Sequence, residues 1–277
     1  MMKIRPISRM GSSYLYAPEP TNLCIDPLAA VYAHKFALVI PTLREAATIK
    51  GLVLEIIAAL ESAELPFEIL VVDDDSGDGI ESALAPVLDS DPRVRLLVRK
   101  GERGLAGAIL HGWRHTDAEF LAVMDADLQH PPSLLPRLLH SLLSGRDIAI
   151  GSRYETGNCL DGWHPLRKLI SRTAIWATRP LQVNGLHVCD PMSGYFAVSR
   201  SCVEGIDFET RGFKLLLEIL VRGRIRSAQE LPFTFGKRAG GHSKAGLRVA
   251  LDYFRLLWKL YRLRTDAKLA LQQASAD

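Results

Sequence analysis

Cysteine is scarce in this chain, long apolar runs are missing and the net charge is small, and each shortage removes a class of protein. The four cysteines (Cys24, Cys159, Cys189 and Cys202) are scattered and never form a Cys-x-x-Cys pair. That argues against a zinc site or a disulfide framework and for a reducing compartment. No apolar run reaches the roughly 18 residues of a membrane-spanning helix, and the mixed, proline-containing stretch from Met1 to His34 has no apolar signal core. A formal charge of +3 over 277 residues is too little for a nucleic-acid-binding surface, so no nucleic-acid partner is expected and anionic ligands must be met by local clusters. No internal repeat or low-complexity tract stands out. What remains is ordinary globular material, 48% hydrophobic and 23% charged, enough to bury a full core.

From Lys35 a regular alternation begins. Short continuous apolar runs at Phe36–Ile40, Phe67–Val72, Arg93–Val98, Phe120–Met124 and Asp147–Ile150 read as strands. Between them, helical patterns cover Arg44–Ser62, Ile80–Leu88 and Gly104–His115, and Pro131-Pro132 opens a fourth helix, where the missing N–H of proline costs nothing. Apolar strands alternating with helices predict an α/β fold, a mostly parallel sheet covered on both faces. Beyond Gly151 the pattern loosens, with helices near Pro165–Val183 and Phe213–Val221 and extended segments at Tyr195–Val198 and Ile225–Phe235. The domain reading is an extension over residues 1–34, a catalytic domain over 35–243, and an amphipathic helix and tail over 244–277.

Two strands run into acid. Val71-Val72 leads into Asp73-Asp74-Asp75-Ser76-Gly77-Asp78-Gly79, and Val123-Met124 into Asp125-Ala126-Asp127-Leu128-Gln129. Ligands of open α/β sheets bind beyond the carboxyl ends of the strands, so both clusters face the expected site. If strand geometry persists, Asp125 and Asp127 point to one side, and two such carboxylates suit Mg²⁺ or Mn²⁺ completed by water and substrate phosphates. The first cluster also reads as a solvated turn, and Thr42-Leu-Arg-Glu45 as a capping box for the first helix.

Taken in order, Val72-Asp-Asp-Asp-Ser-Gly-Asp-Gly79, Met124-Asp-Ala-Asp-Leu-Gln129, Gly151-Ser-Arg-Tyr154, Asp190-Pro-Met-Ser-Gly194, Gly212-Phe-Lys214 and Phe235-Gly-Lys-Arg-Ala-Gly-Gly-His-Ser-Lys244 resemble the polyprenol-phosphate (dolichol-phosphate) mannosyltransferases. These form a group within glycosyltransferase family 2 and have the GT-A fold. The resemblance spans roughly Lys35 to Gly246. It implies Asp125, Asp127 and Gln129 as ligands of Mg²⁺ or Mn²⁺, and Pro41, Glu45, Val72, Asp74, Asp125 and Ala126 around the nucleotide. It implies Arg153, Arg167, Ser171, Lys214, Arg238, Ser243 and Lys244 around the donor and acceptor phosphates, with Asp127, Arg153 and Asp190 as the catalytic set. Leu43 departs from the family's tyrosine, and Asp75 from its Asn or Gly; both lie near the expected base pocket.

The implied reaction moves a hexose, mannose from GDP-mannose, onto a polyprenyl or dolichyl phosphate with inversion. A phosphate acceptor is largely ionised at neutral pH, its second pKa being about 6, so little general-base help is needed and Asp190 is the candidate if there is a base. The alternatives are a UDP-glucose or UDP-N-acetylhexosamine donor, a non-catalytic nucleotide- or lipid-phosphate-binding subunit, and a Mg²⁺-binding regulator. His111, His130 and His187 have no metal-ligand spacing and read as surface or satisfied histidines. From Lys244 onward, Leu247, Leu251, Phe254, Trp258 and Tyr261 recur every three or four residues opposite Arg248, Asp252, Arg255, Lys259 and Arg262. Such a helix either lies in a lipid interface or packs on the domain. The expectation is a cytoplasmic protein held peripherally on the cytoplasmic face of a membrane, alone or through a separate anchoring subunit.

Overall fold

The computed structural model describes residues 36–153, 173, 175–182, 186–208, 214–234, 236 and 253–263. The extension over 1–34 lies outside the described residues, as do Arg167, Ser171, Arg238, Ser243, Lys244 and most of the helix expected at Pro165–Val183.

The first half alternates as its apolar pattern predicts: β1 (Phe36–Thr42), α1 (Ala46–Glu61), β2 (Phe67–Asp73), α2 (Ile80–Ser90), β3 (Val94–Val98), α3 (Leu105–Arg114) and β4 (Phe120–Val123). A 3-10 turn at Pro132–Leu134 leads into α4 (Leu135–Leu143), followed by β5 (Ile148–Ser152). Then come β6 (Phe196–Ser199), α5 (Arg200–Val203), α6 (Leu215–Arg222) and β7 (Ala228–Pro232), with a last described helix, α7, over residues 253–263.

Among the described residues, seven strands form one sheet in the order β3-β2-β1-β4-β6-β5-β7. β1 pairs in parallel with β2 and β4, and β2 with β3. β6 runs antiparallel between β4 and β5, while β5 and β7 are parallel. Every residue of β1 and β4 is buried, because helices cover both faces and side chains alternate between them. Leu38 and Ile40 pack with α1 and α4 on one side, Ala37 and Val39 with α3 and α6 on the other. Helix α1 buries Ile49, Leu52, Val53, Ile56 and Leu60; at ~1.5–3 kcal/mol for each large aliphatic side chain, this face outweighs any intrinsic helix preference.

Two local expectations are corrected. The capping box at Thr42–Glu45 does not form, because Thr42 is still the last residue of β1 and turns its hydroxyl to β2, donating to Asp73 Oδ1 at 3.1 Å. The amide of Ala46 instead donates to Asp78 Oδ2 at 3.0 Å, so the first helix is capped from the acidic loop. Strand geometry also stops at Val123, so the two-residue period does not set the directions of Asp125 and Asp127.

Helix α7 leaves the expected aromatic face open and packs through a stripe that the periodicity did not single out. Its buried stripe is Tyr253, Leu257 and Leu260, packed with Leu181 and Leu217, whereas Phe254 and Trp258 are 64% and 65% exposed. The helix therefore packs on the domain with one face and shows an aromatic stripe on the next.

Candidate active site

The carboxyl ends of β1, β2, β4 and β5 come to one edge of the sheet. Pro41 pairs with Val72 and Thr42 with Asp73. Pro41 and Val72 are both buried, so they offer a ligand backbone and shape. Asp73 closes its own loop, accepting from the amide of Ser76 at 2.8 Å and its hydroxyl at 2.5 Å. Asp74 takes Arg99 Nε on Oδ1 at 2.7 Å, Arg99 Nη2 at 2.6 Å, and the amide of Gly104 on Oδ2 at 2.7 Å. Both side chains of this pair are 6% exposed. The first acidic cluster is thus chiefly architecture: Asp73 and Asp74 tie the ends of β2 and β3 to the start of α3, and Asp78 caps α1. Asp75 is exposed, with φ at 52°. Glu45, expected at the nucleoside, sits at the N-terminus of α1 and accepts from Thr48 Oγ1 at 3.4 Å. Arg99 was not foreseen, since an arginine in the run Arg99-Lys-Gly-Glu-Arg103 looks like any basic surface loop.

The second cluster sits on a tight turn. Leu128 adopts φ of 61°, and the Gln129 amide donates to Asp127 Oδ1 at 3.2 Å. Ala126 is buried, and Asp125, Asp127 and Gln129 are half-buried. Beneath them His130, 4% exposed, accepts the amide of Asp125 on Nδ1 at 3.2 Å. Its ring stacks on Tyr195 at 4.9 Å and meets the edge of Phe233 at 5.5 Å; the Tyr195 hydroxyl donates to Pro131 O at 2.9 Å. Burial, with the charge of Arg153 adding to it, pushes His130 down to about 3. The imidazole is therefore neutral, as an Nδ1 acceptor must be. Burial likewise pushes the Tyr195 phenol up.

Two glycines let other segments reach this turn. A Cβ on Gly194 would lie 2.7 Å from Asp125 Oδ2, and one on Gly236 would lie 2.6 Å from Leu128 O. Gly236 also donates its amide to Gln129 O at 3.0 Å, so the chain that continues toward Arg238 starts from the Asp125–Gln129 turn itself.

Arg153 follows β5 directly and is joined to Asp190 at two points, Nε to Oδ2 and Nη2 to Oδ1, both 2.6 Å. Lys214 is the N-cap residue of α6, with Nζ 4.0 Å from the centroid of the Tyr253 ring. Arg153 and Asp190, both expected at the site, are therefore bonded to one another, and Lys214 is tied to α7. A cavity of about 740 Å³, lined by Trp176, Arg179, Gln182, His187, Val188 and Cys189, reaches to the residue before Asp190.

Asp125, Asp127 and Gln129 supply hard oxygen donors on one turn, and Gly194 leaves the Asp125 carboxylate the space it occupies. Among the described residues no three His, Cys, Asp or Glu side chains converge.

Comparison with known proteins agrees with this geometry. The family model described as glycosyl transferase family 2 matches residues 37–206. A dolichol-phosphate mannosyltransferase of Pyrococcus furiosus is 40% identical over 228 residues, 82% of this chain and 64% of that longer protein. The proteins of the same name from Mycosarcoma maydis and Saccharomyces cerevisiae are 36% and 35% identical, over 82% and 84% of this chain and 79% and 89% of their own lengths. In fold, the chain resembles the Mycobacterium tuberculosis glucosyl-3-phosphoglycerate synthase solved with Mn²⁺ and UDP-glucose (TM-score 0.60, 20% identity, 87% of this chain and 82% of that one). It also resembles the mannosyl-3-phosphoglycerate synthase of Rubrobacter xylanophilus (TM-score 0.61, 22% identity, 85% and 76%). With its mostly parallel GT-A sheet, its two acidic strand ends and these relatives, the chain belongs to glycosyl transferase family 2, within the dolichol-phosphate mannosyltransferase group.

Proposed function

We propose that this protein transfers mannose from GDP-mannose to the phosphate of a polyprenyl or dolichyl lipid, with a divalent cation and with inversion, at a membrane surface. The observation that carries the reading is the meeting of the Asp125–Gln129 turn with Arg153 at one sheet edge, through the turn of residues 190–194. Asp125, Asp127 and Gln129 would hold Mg²⁺ or Mn²⁺, which when bound stabilises the charge gathering on the leaving diphosphate.

The acceptor is itself an anion, so its approach to the donor diphosphate is opposed by repulsion. Arg153 and Lys214 offset that repulsion, joined in this reading by Arg167, Ser171, Arg238, Ser243 and Lys244 from outside the described residues. Pro41, Glu45, Val72, Asp74 and Ala126 border the nucleotide at the ends of β1, β2 and β4. Because a phosphate monoester is already ionised, no strong general base is required.

Membrane association is supported by α7. Phe254, Trp258, Tyr261 and Leu263 are exposed beside Arg255, Lys259 and Arg262. Tyr261 donates to Ala177 O at 2.8 Å, next to Trp176, which is 69% exposed. Aromatic and basic side chains interleaved on one helix suit the headgroup region of an anionic leaflet. No helix among the described residues is long and apolar enough to cross a bilayer. Peripheral docking on the cytoplasmic face, alone or with an anchoring subunit, completes the proposal.

Thermal-shift titration with GDP, UDP and GDP-mannose, each with and without Mn²⁺, tests the donor. Stabilisation by GDP and GDP-mannose that depends on Mn²⁺ is expected. Stabilisation by UDP alone would replace the donor with a UDP-sugar, and no response to any nucleotide would leave a non-catalytic binding subunit.

A further inference from the structure

Asp190 is completely buried, at 0% exposure. Its Oδ2 accepts from Arg153 Nε at 2.6 Å and from the Arg153 amide at 3.1 Å, and its Oδ1 from Arg153 Nη2 at 2.6 Å. The backbone around it is pinned as firmly. Glu230 takes the amide of Asp190 on Oε1 at 3.0 Å and that of Cys189 on Oε2 at 2.7 Å. Glu230 is itself fixed in β7, in register with Ile150 of β5. Farther along the turn, Ser193 Oγ donates to Gly151 O at 2.7 Å, and Gly194 lies against the Asp125 carboxylate.

We propose that Asp190 is a positioning residue and not a proton acceptor: it aims the Arg153 guanidinium, and the turn it opens seats Gly194 on Asp125, so one element sets both the anion-binding arginine and the metal-binding carboxylate. The inference rests on the reading of Arg153 as a phosphate ligand and deepens it. A carboxylate shut from solvent, with both oxygens turned to one guanidinium, has no path to a substrate proton. A guanidinium held along its Nε–Nη2 edge has few orientations left, so little rotamer freedom remains to be lost when a phosphate arrives. The reversed strand β6 makes this possible. Only a strand antiparallel to both β4 and β5 brings the turn before it to the ends of both neighbours, where Asp125 and Arg153 lie.

A double-mutant cycle tests the coupling. Asp190→Asn, Arg153→Ala and the pair are compared by calorimetric titration with GDP in Mn²⁺, UDP being run in parallel, and by the pH profile of turnover. Each single change should weaken diphosphate binding about tenfold, and the double variant should be no weaker than Arg153→Ala within about twofold. The acid limb of the pH profile should keep its midpoint in Asp190→Asn. Should that variant not fold, Glu230→Gln loosens the same turn without unpairing a buried charge, and a smaller loss of the same kind, about two- to fivefold, is expected. The proposal is overturned if Asp190→Asn weakens binding as much without Arg153 as with it, or if it abolishes the acid limb. It is also overturned if, with Asp190→Asn unable to fold, Glu230→Gln binds normally. If Arg153→Ala itself binds both nucleotides normally, the reading of Arg153 falls and the positioning role with it.

Discussion

Gly194→Ala is the sharpest probe of the proposed metal site, because it alters one contact and replaces none of the proposed ligand residues. The added Cβ would stand 2.7 Å from Asp125 Oδ2 and 3.2 Å from both Cγ and Oδ1. Ordinary van der Waals contact begins at about 3.4 Å, so the carboxylate must retreat by roughly 0.7 Å. Rotation does not clear it, since all three atoms of the group are already close. The main chain has little room to follow, because the Asp125 amide is bonded to buried His130. Metal–oxygen distances tolerate only about 0.2 Å. The variant should therefore bind Mn²⁺ about 10–100-fold more weakly, the range seen when the surroundings of a metal ligand are disturbed, which corresponds to ~1.4–2.7 kcal/mol. Folding should suffer less. Gly194 has no positive φ, so alanine is not strained there, and crowding of ~1–3 kcal/mol is partly offset by the ~0.4–1 kcal/mol gained from a stiffer unfolded chain. Mn²⁺ binding is read by electron paramagnetic resonance of the free ion, with and without GDP, beside Gly51→Ala, whose Cβ would meet nothing within 4 Å. A folded Gly194→Ala protein whose Mn²⁺ isotherm superimposes on the parent's would refute the assignment of Asp125.

Three further outcomes are expected. Arg99→Met leaves the buried Asp74 carboxylate without its cation and should cost about 3–5 kcal/mol in urea denaturation, much of it regained when Asp74→Leu is added; an unchanged midpoint would return the pair to the surface. His130 has a folded pKa of about 3 against an ordinary 6.5, so its contribution is complete above about pH 6.5 and declines as pH falls toward 3, by up to ~1.4 kcal/mol per unit. His130→Gln should flatten that decline in metal-free protein, and parallel stability curves for parent and variant would refute it. Replacing Phe254 and Trp258 together by serine should abolish co-sedimentation with phosphatidylglycerol-containing liposomes at a nearly unchanged melting temperature, since both are more than half exposed; equal sedimentation would remove α7 from the membrane.

The sequence was most legible where a pattern is local. β1 to β5 and their helices declare themselves, because a strand covered on both faces must be apolar throughout and a covering helix must repeat every three to four residues. The two acidic strand ends declare themselves too, since each run of carboxylates follows an apolar strand directly. Legibility ended at what each carboxylate touches. Asp74 and Asp127 look alike on paper, yet one is locked to Arg99 and the other sits half-open on the Asp125–Gln129 turn. His130 reads as a satisfied histidine, and it is one, but its bond to the Asp125 amide depends on Tyr195 and Phe233, 65 and 103 residues further along the chain. In α7 periodicity found the aromatic face of Phe254, Trp258 and Tyr261 but not the neighbouring stripe of Tyr253, Leu257 and Leu260 that packs on the domain. The helix has more than one stripe that can be buried, and the position of Leu181 and Leu217 selects between them.

By itself, then, the amino-acid order determined the alternating α/β layers, the sheet edge proposed as the ligand site and the residue types gathered there, all of which follow from side-chain periodicity and from chemistry confined to a few consecutive positions. Only the tertiary structure decided that β6 runs antiparallel between β4 and β5, that Asp190 meets Arg153 across 37 residues, and that Gly194 and Gly236 press on the Asp125–Gln129 turn. Those are pairings between segments distant in sequence, settled by which surfaces fit when the sheet closes, and no local pattern encodes which partner that will be.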